Sequence, residues 1–409
     1  MSTATPARGG WTPWRTIWAF GFVSLFADMV YEGMRSISGP YLGALGASAL
    51  VVGLVTGAGE AMALVLRLVS GRLADRTGAH WRLTILGYAM TAVCVPLLAV
   101  APFVGGAGLA VASVLILAER TGKAVRSPSK SALLASMTKP VGRGRGFGVH
   151  KALDQVGAFS GPLVIAGVVA LTGRMWLALA LLAIPGALSL VLLARLRRRM
   201  PVEERQIVEP APQGGAASVA PGREPLPRTF HQFSLACALS TLGLMTFGVI
   251  SYAFVEEGLF SAAATPLVYA GAMAVAAVAA LLTGQAYDRI GARVLYVVPV
   301  AVALVPFLVF TDQLAVLLVG MVAWAVATGV QDSTVKALVA DLVPKQQLGT
   351  AYGVFAAAMG VAALAGGALA GGLHQEHREL LIAVIGVCQV AAFVLLVRTI
   401  RAARQATHH

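Results

Sequence analysis

The chain has 409 residues, of which 58% are hydrophobic and only 12% are charged. A soluble domain carries a charged fraction of about 25%, so this composition excludes an ordinary soluble enzyme or binding module. The formal net charge is +13, but the basic residues lie in short clusters between apolar runs. A nucleic-acid partner would need them on one folded face, so no such partner is expected. The sequence predicts an all-α membrane protein.

Twelve apolar runs, separated by short polar breaks, follow one another along the chain. Each has about 20 residues, the length at which an α-helix crosses the hydrocarbon core of a bilayer. The runs begin near Trp14, Ser48, Thr84, Gly106, Gly146, Met175, Phe230, Thr265, Val294, Leu314, Gly349 and Glu379. We therefore expect twelve transmembrane helices surrounded by lipid, in a protein that acts as a monomer.

Basic residues mark alternate ends of these runs. They precede the first run and follow every second one: Arg8, Arg15, Arg72/Arg76/Arg82, Lys123 to Lys151, Arg195 to Arg228, Arg289/Arg293, Lys336/Lys345 and Arg398/Arg401/Arg404. Apart from Arg35, the loops at the opposite ends hold only Arg174 and Arg378. Cytoplasmic loops carry an excess of lysine and arginine, so both termini are expected in the cytoplasm. Arginine outnumbers lysine, and Ala, Gly and Val are abundant, which suggests a GC-rich bacterial genome. The expected location is therefore the cytoplasmic (inner) membrane of a bacterium.

The first run contains the segment FADMVYEGMR, which places three ionisable residues in an otherwise apolar sequence. Asp28, Tyr31, Glu32 and Arg35 share one face of a helix, because residues three and four apart lie one above the other. A charge at the bilayer centre costs about 2.5–3.5 kcal/mol on insertion scales, so such residues normally face a protein interior or a water-filled cavity. Arg35 can neutralise Glu32, whereas Asp28 has no partner in its own helix.

Further ionisable residues are embedded in the second, fourth and fifth runs. Glu60 lies near the middle of the second run, Arg120 in the fourth and Asp154 in the fifth. A partly desolvated carboxylate can bind and release a proton near neutral pH. The predicted proton-coupling residues are Asp28, Glu32, Arg35, Glu60, Arg120 and Asp154.

Asp28 is the predicted principal proton site, with Arg35 and Arg120 as its charge partners. The alternative hypothesis is that the pairs Asp28–Arg35 and Lys151–Asp154 are structural and only hold helices in register. Two further residues of the fourth run are expected at the membrane interface, where long side chains extend toward water: Glu119 and Lys123.

The longest hydrophilic break runs from Arg197 to Arg228 and is rich in proline, glycine, alanine and charged residues. It has no helical apolar stripe, and its composition is typical of a disordered linker. We expect an N-terminal six-helix bundle at residues 1–196, a cytoplasmic linker at 197–229 and a C-terminal six-helix bundle at 230–409.

The second half offers few polar side chains within its runs. The residues predicted to line a substrate cavity are Tyr31, Tyr252, Gln331 and Asp332. His374 and His377 lack further ligands at suitable spacing, so no metal is expected. No nucleophile–base pair is evident either, so an enzyme is not expected. A proton gradient, rather than a cofactor, is the expected driving force.

The two halves repeat each other. GRLADRTGAH at 71–80 matches GQAYDRIGAR at 284–293 with an offset of 213. ALLASMTKPVGRGRGFGV at 132–149 matches ALVADLVPKQQLGTAYGV at 337–354 with an offset of 205, which also carries Gly161 to Gly366. Two matches in the same order indicate two pseudo-symmetric six-helix bundles.

The segment GRLADRTG resembles the signature loop of the major facilitator superfamily, Gly-x-x-x-Asp-Arg-x-Gly followed by two basic residues. The twelve runs, the second copy and the central break are similar to that superfamily along essentially the whole chain. The sequence departs from the pattern at Ala79 and His80, which stand where basic residues are usual.

This resemblance implies a latch that joins the bundles on the cytoplasmic side, with glycines at a tight helix reversal and a possible contact near Gly349. The implied latch residues are Gly71, Asp75, Arg76, Gly78, Asp288 and Arg289. A solvated loop whose charges only fix topology is the competing interpretation.

The segment GAFSGPL in the fifth run is similar to the Gly-x-x-x-Gly-Pro element of proton-coupled efflux members of the superfamily. Gly157 and Gly161 lie one turn apart and allow close helix approach, and Pro162 removes a backbone donor. The same residues also suit helix packing alone. The resemblance to twelve-helix bacterial drug/proton antiporters implies proton-coupled export of a small lipophilic or amphipathic compound by alternating access.

Two other functions remain open from the sequence. Proton-coupled uptake of a polar nutrient, such as a sugar or an organic acid, would need many hydrogen-bonding side chains in the cavity, and the second half supplies few. A non-transporting membrane receptor or channel would have no need of a latch between the bundles.

Overall fold

The computed structural model describes residues 11–199, 225–333, 335–344 and 347–406, and the regular structure in these ranges is helical. The first half comprises α1 (Pro13–Ala44), α2 (Ala49–Thr77), α3 (His80–Leu97), α4 (Gly108–Thr138), α5 (Arg143–Thr172), α6 (Met175–Leu181) and α7 (Ala183–Arg199). The second half comprises α8 (Arg228–Gly243), α9 (Phe247–Glu256), α10 (Thr265–Ile290), α11 (Val297–Val309), α12 (Leu314–Ser333), α13 (Val335–Leu342), α14 (Leu348–Leu373) and α15 (Arg378–Ala406).

Ten stretches of the described residues are long and apolar enough to cross a membrane. One of them, Thr265–Val309, has 45 residues and contains both α10 and α11. The 31-residue helix α4 is long enough as well but carries too many ionisable residues to be counted among the ten. When Thr265–Val309 is divided into α10 and α11, and α4 is added, the described ranges contain the twelve predicted spans. The largest error in a predicted start is at α3, which begins at His80 rather than near Thr84.

The predicted linker is too long at both ends. The helix α7 continues through Arg197 to Arg199, and α8 begins at Arg228. Cations in the last turn of a helix interact favourably with its partial negative charge. The basic residues from Arg197 to Arg199, which were assigned to the linker, therefore extend α7. Residues 200–224 of the predicted linker lie outside the described residues.

The internal repeat appears in the packing of equivalent helices. On α5, Gly161 lies so close to α1 that a Cβ atom there would meet the carbonyl oxygen of Met29. On α14, Gly366 approaches α8 in the same way and faces the carbonyl oxygen of Leu242. The glycines are 205 positions apart and their carbonyl partners 213 apart, the two offsets found in the sequence. The halves therefore repeat the same helix contact.

The signature segment forms a helix end in both halves. Gly78 ends α2 with φ of 62°, and Gly291 ends α10 with φ of 68°. This left-handed backbone favours glycine. Gly71 was predicted to take part in the turn, but it lies inside α2, where a Cβ would make ordinary contact with Pro128 at 3.6 Å. The reversal therefore depends on the second glycine of the motif.

The two halves meet directly at the end of the molecule away from the chain termini. Gly39 of α1 faces the carbonyl oxygen of Gly248 on α9, and Gly53 of α2 faces that of Gly367 on α14. No Cβ atom fits at either contact. Small residues are the usual means by which membrane helices approach this closely. We call the region around these four glycines the closed end.

Gly161→Ala is expected to destabilise the protein, because the new methyl group would meet the backbone of Met29 and Gly33. Overpacking of this kind costs about 1–3 kcal/mol, so thermal unfolding of the purified protein in detergent should begin several degrees lower. Gly167→Ala is the matched control, since Gly167 lies on the same helix with open space around it. Equal melting temperatures for the two variants would show that α5 does not pack tightly on α1.

Candidate functional site

A cavity of about 250 Å³ lies between the two halves. The first half contributes charged and aromatic residues to its wall: Tyr31, Arg35, Glu60, Arg67 and Lys123. The second half contributes a largely apolar wall that includes Leu244, Met245, Leu295, Val298, Trp324, Phe355 and Met359. A 2.7 Å hydrogen bond between the hydroxyls of Thr56 and Thr246 joins the halves beside the cavity. The cavity is therefore polar on one side and apolar on the other.

The carboxylate of Glu60 lies between two guanidinium groups. Its Oε1 atom is 3.0 Å from Arg35 Nη2 and 3.6 Å from Arg120 Nη1. The three residues come from α1, α2 and α4, so this ionic contact ties three helices together. Gly59 leaves the space for it, because a Cβ there would lie 2.9 Å from Cγ of Arg120.

The ring of Tyr31 supports two cations. The Arg120 guanidinium donates a hydrogen bond to the Tyr31 hydroxyl and lies 4.6 Å from the ring centroid. Lys123 Nζ lies 3.3 Å from the same centroid. An aromatic face attracts cations through its quadrupole. Tyr31 therefore holds Lys123 at the cavity wall without neutralising its charge.

Glu32 connects the charged wall to the second half. Its Oε2 atom is 3.8 Å from Arg35 Nη1, as the spacing in α1 predicts. The same oxygen accepts a hydrogen bond of 2.5 Å from the hydroxyl of Tyr269 on α10. Tyr269 did not stand out in the sequence, because a tyrosine in an apolar run has no local pattern that indicates a partner on another bundle.

Asp28 belongs to a second group of charges, on the α4–α5 side of α1. Its Oδ1 atom lies 3.6 Å from Arg126 Nη2, and its carboxyl group lies beside that of Asp154. Asp154 also contacts Lys130 at 3.2 Å and Lys151 at 2.9 Å. The predicted partnership of Asp28 with Arg35 and Arg120 is wrong, because those two guanidinium groups bind Glu60 instead.

The charged residues of α4 lie deeper inside the protein than the sequence predicted. Glu119 is fully buried, not interfacial, and accepts a 3.0 Å hydrogen bond from the Thr91 hydroxyl. Lys123 is half-buried at the cavity, and Arg126 is buried within α4 rather than in a loop. Neighbouring helices supply their partners. The spacing of three between Arg120, Lys123 and Arg126 was the available signal, since it continues a helical stripe.

Two of the predicted cavity residues, Tyr31 and Gln331, do line the cavity. Tyr252 does not, because its ring packs against Gly43 at the closed end and against the ring of His374. The side chain of Asp332 lies outside the described side chains. Within the described part of the chain no group of three metal-ligand residues occurs, and His374 is buried between the rings of Tyr252 and Phe310.

The predicted latch residues lie at the other end of the molecule, where α2 and α10 finish. Asp75, Arg76, Asp288 and Arg289 are all exposed there. Among the described residues, neither Asp75 nor Arg76 forms an ion pair, and neither bonds to the start of α14 near Gly349. In this conformation the residues are therefore present but not engaged.

The glycine–proline element of α5 packs inside the first half. Gly157 faces the carbonyl oxygen of Leu25, and Gly161 faces that of Met29, both on α1. Pro162 is buried beside them, and none of the three residues lines the cavity. The element fixes the distance between α1 and α5, and so supports the contact between Asp28 and Asp154.

Comparison with known proteins identifies the family. Residues 17–259 and 233–408 match the model of the Major Facilitator Superfamily, so the chain belongs to this superfamily. An uncharacterized protein of Mycobacterium tuberculosis is 46% identical over 397 residues, which is 97% of this chain and 95% of the relative.

Solved structures share the fold. A POT family transporter in complex with 5-aminolevulinic acid has a TM-score of 0.73 at 13% identity and covers 96% of each chain. A mutant of the nucleoside transporter NupG has a TM-score of 0.69 at 14% identity, over 94% of this chain and 99% of that one. The chain is thus a multi-pass membrane protein with the architecture of a secondary transporter, not an enzyme.

Glu60→Gln is expected to lower the free energy of unfolding by about 2 kcal/mol, because two guanidinium groups would lose the carboxylate they share. Glu257→Gln is the control: its side chain has the same 28% exposure, but its partner Arg378 is 36% exposed. A pair of that kind contributes about 0–1 kcal/mol. Chemical unfolding in detergent measures both variants. If they lose the same stability, Glu60 does not tie the three helices together.

Proposed function

We propose that the protein is a proton-coupled secondary transporter that exports a small lipophilic or amphipathic compound by alternating access. The observation that carries this proposal is the charged wall of the cavity, which reaches across to the second half through the hydrogen bond between Glu32 and Tyr269. A change in the charge of this wall alters a contact between the halves. Alternating access needs such a coupling between ligand, proton and the arrangement of the two bundles.

The proposed proton site is the pair of Asp28 and Asp154. Two neighbouring carboxyl groups can hydrogen-bond to each other only while one of them carries a proton, and loss of that proton leaves two adjacent negative charges that repel each other. Arg126 and Lys130 offset part of this repulsion. Deprotonation should therefore push α5 from α1, and Asp28 is one turn from Glu32 on the same face of α1.

The proposed orientation follows the distribution of basic residues. Both termini are placed in the cytoplasm of a bacterium, so the closed end faces outward and the cavity lies on the path from the cytoplasm. The proton gradient supplies the energy, with no cofactor, and the unit of transport is the monomer. The described pair of bundles encloses the cavity without a further copy of the chain.

Uptake of a polar nutrient is the second candidate. The cavity wall of the second half includes several hydrogen-bonding groups, among them Ser240, Thr241 and Gln331. The solved transporters of this fold include one for nucleosides and one for peptides. The apolar majority of that wall still favours a compound with a substantial apolar surface.

Inside-out membrane vesicles with an acidic lumen separate the two directions. An exporter that exchanges substrate for protons will accumulate the compound in the lumen, whereas an uptake symporter will expel it. The compound is found first by a growth screen of a deletion strain against a panel of toxic compounds.

Asp28→Asn should retain substrate binding and lose pH-driven accumulation in these vesicles, because asparagine keeps the hydrogen bond but cannot release a proton. Asp312→Asn, at an exposed carboxylate beyond α11, should transport normally. An Asp28→Asn variant that still concentrates the compound with an unchanged pH profile would rule out this carboxyl group as the proton site.

Asp75→Asn and Asp75→Glu test the latch. We propose that Asp75 and Arg76 join the bundles only when the closed end has opened, which fits their exposure in the present conformation. Both variants should slow turnover several-fold without changing expression, since asparagine has the same length but no charge and glutamate keeps the charge on a longer side chain, so neither reproduces the contact. Glu379→Gln, also exposed, is the control. Wild-type turnover in both Asp75 variants would instead favour a loop that only fixes topology.

A further inference from the structure

We propose that the compound bound in the cavity is an amphipathic organic anion, with a carboxylate or a similar acidic group at one end of an apolar body. This inference rests on the proposed function only in taking the cavity as the substrate site. It concerns the charge of the compound, which neither the family nor the apolar wall determines.

The charged wall holds more cations than it can pair. Arg35 and Arg120 share Glu60, and Glu32 is occupied by Arg35 and Tyr269. Two further cations line the same cavity, Arg67 and Lys123. Neither of them forms an ion pair with any residue that the structure describes, although both are close enough for their charges to act on Glu60.

The unpaired cations lie on one side of the Glu60 contact. Arg67 is two turns beyond Glu60 on α2, which corresponds to about 10 Å along the helix axis. Lys123 is one turn beyond Arg120 on α4, about 4.5 Å. Both helices run away from the closed end at this point, so the two cations flank the part of the cavity nearer the chain termini.

The side chain of Arg67 lines the cavity and has an unpaired donor. Its Nε atom is buried and has no hydrogen-bond partner. A buried donor without an acceptor is costly, and the guanidinium fork suits a carboxylate or phosphate that accepts two hydrogen bonds. Lys123 faces the Tyr31 ring, which leaves its charge available to an anion.

The opposite wall determines the rest of the molecule. Leu295, Trp324 and Phe355 face the cavity from the second half and offer apolar surface rather than charge. A ligand with its acidic group at Arg67 and Lys123 would therefore bury an apolar body against this wall. A free inorganic anion would leave the apolar wall of the second half in contact with water.

A cationic compound fits this cavity poorly. It would need a carboxylate free to receive it, but of the described carboxylates near the cavity Glu60 already lies between two guanidinium groups and Glu32 between a guanidinium and a tyrosine hydroxyl. Four cationic side chains around the site would also repel it. The lipophilic cations that many export systems remove are therefore not expected to bind.

The test compares matched ligands on the purified full-length protein in a neutral detergent. The radiolabelled probes form three sets, built on a naphthalene, a biphenyl and a decyl scaffold. Each set consists of three compounds that differ only in the head group: a carboxylate, a neutral amide and a primary ammonium group. Binding is measured by scintillation proximity without a proton gradient. We expect at least one carboxylate to bind about tenfold more tightly than its amide, the size of a charge-assisted hydrogen bond, and the ammonium compounds to bind most weakly.

Two variants assign this preference to the proposed cations. Lys123→Gln and Arg67→Gln should each reduce carboxylate affinity about tenfold and leave amide affinity unchanged. Arg195→Gln, at an exposed position of α7, is the matched control. Size-exclusion profiles and binding of the amide confirm that the variants are folded.

Several results would overturn the proposal. These are preferred binding of an amide or ammonium compound, no carboxylate preference in any set, or a preference that survives in both variants. The phosphonate of the scaffold that binds best distinguishes a carboxylate site from a phosphate site. Because these measurements need no gradient, the carboxylate preference can hold even if proton coupling fails, and proton-driven transport of a neutral compound would refute this inference alone.

Discussion

The carboxylate of Glu60 between Arg35 and Arg120 is the contact on which the rest of the site depends. Each of these charges would be expensive to bury alone, and together they are tolerable only while α1, α2 and α4 stay in register. The same register brings Lys123 over Tyr31. The first half is thus held together at its centre by charge, in a chain whose other helix contacts are mostly apolar or glycine-mediated.

The second half has the complementary character. Its wall of the cavity is largely apolar, and its polar link to the charged network is the hydroxyl of Tyr269. Because the charged residues are in the first half and the facing wall is largely apolar, the two halves can move relative to each other without breaking many ion pairs. It also concentrates the sensitivity to charge in a few residues of the first half, where a small displacement of α1 reaches both Asp28 and Glu32.

The sequence was sufficient for the fold because the fold depends on local patterns. Run length predicted the helices to within four residues at α3 and more closely elsewhere, and the offsets of the internal repeat reappear in the contacts of Gly161 and Gly366. The signature segment and the twelve runs led to the family. These patterns lie in residues that are close in the sequence. They can therefore be read without knowing how the helices are arranged.

Partners in the site were harder to predict because they come from different helices. The cation that contacts Asp28 is Arg126 on α4, and the neighbouring carboxyl group is that of Asp154 on α5. The spacing of residues within α1 does not reveal either partner. Glu119 was predicted at the membrane interface because long charged side chains can extend toward water there, yet it is buried and its hydrogen-bond partner Thr91 is on α3. Tyr252 was assigned to the cavity for its hydroxyl group, but the close approach of Gly43 places its ring at the closed end.

The closed end has a consequence for the rate of the transport cycle. The halves meet there through the backbones of Gly39, Gly248, Gly53 and Gly367, beside a hydrogen bond between the uncharged hydroxyls of Thr56 and Thr246, so parting them at these contacts separates no ion pair. Dispersion is short-ranged and is not screened by dissolved ions. Separation of the halves at the closed end should therefore be insensitive to ionic strength.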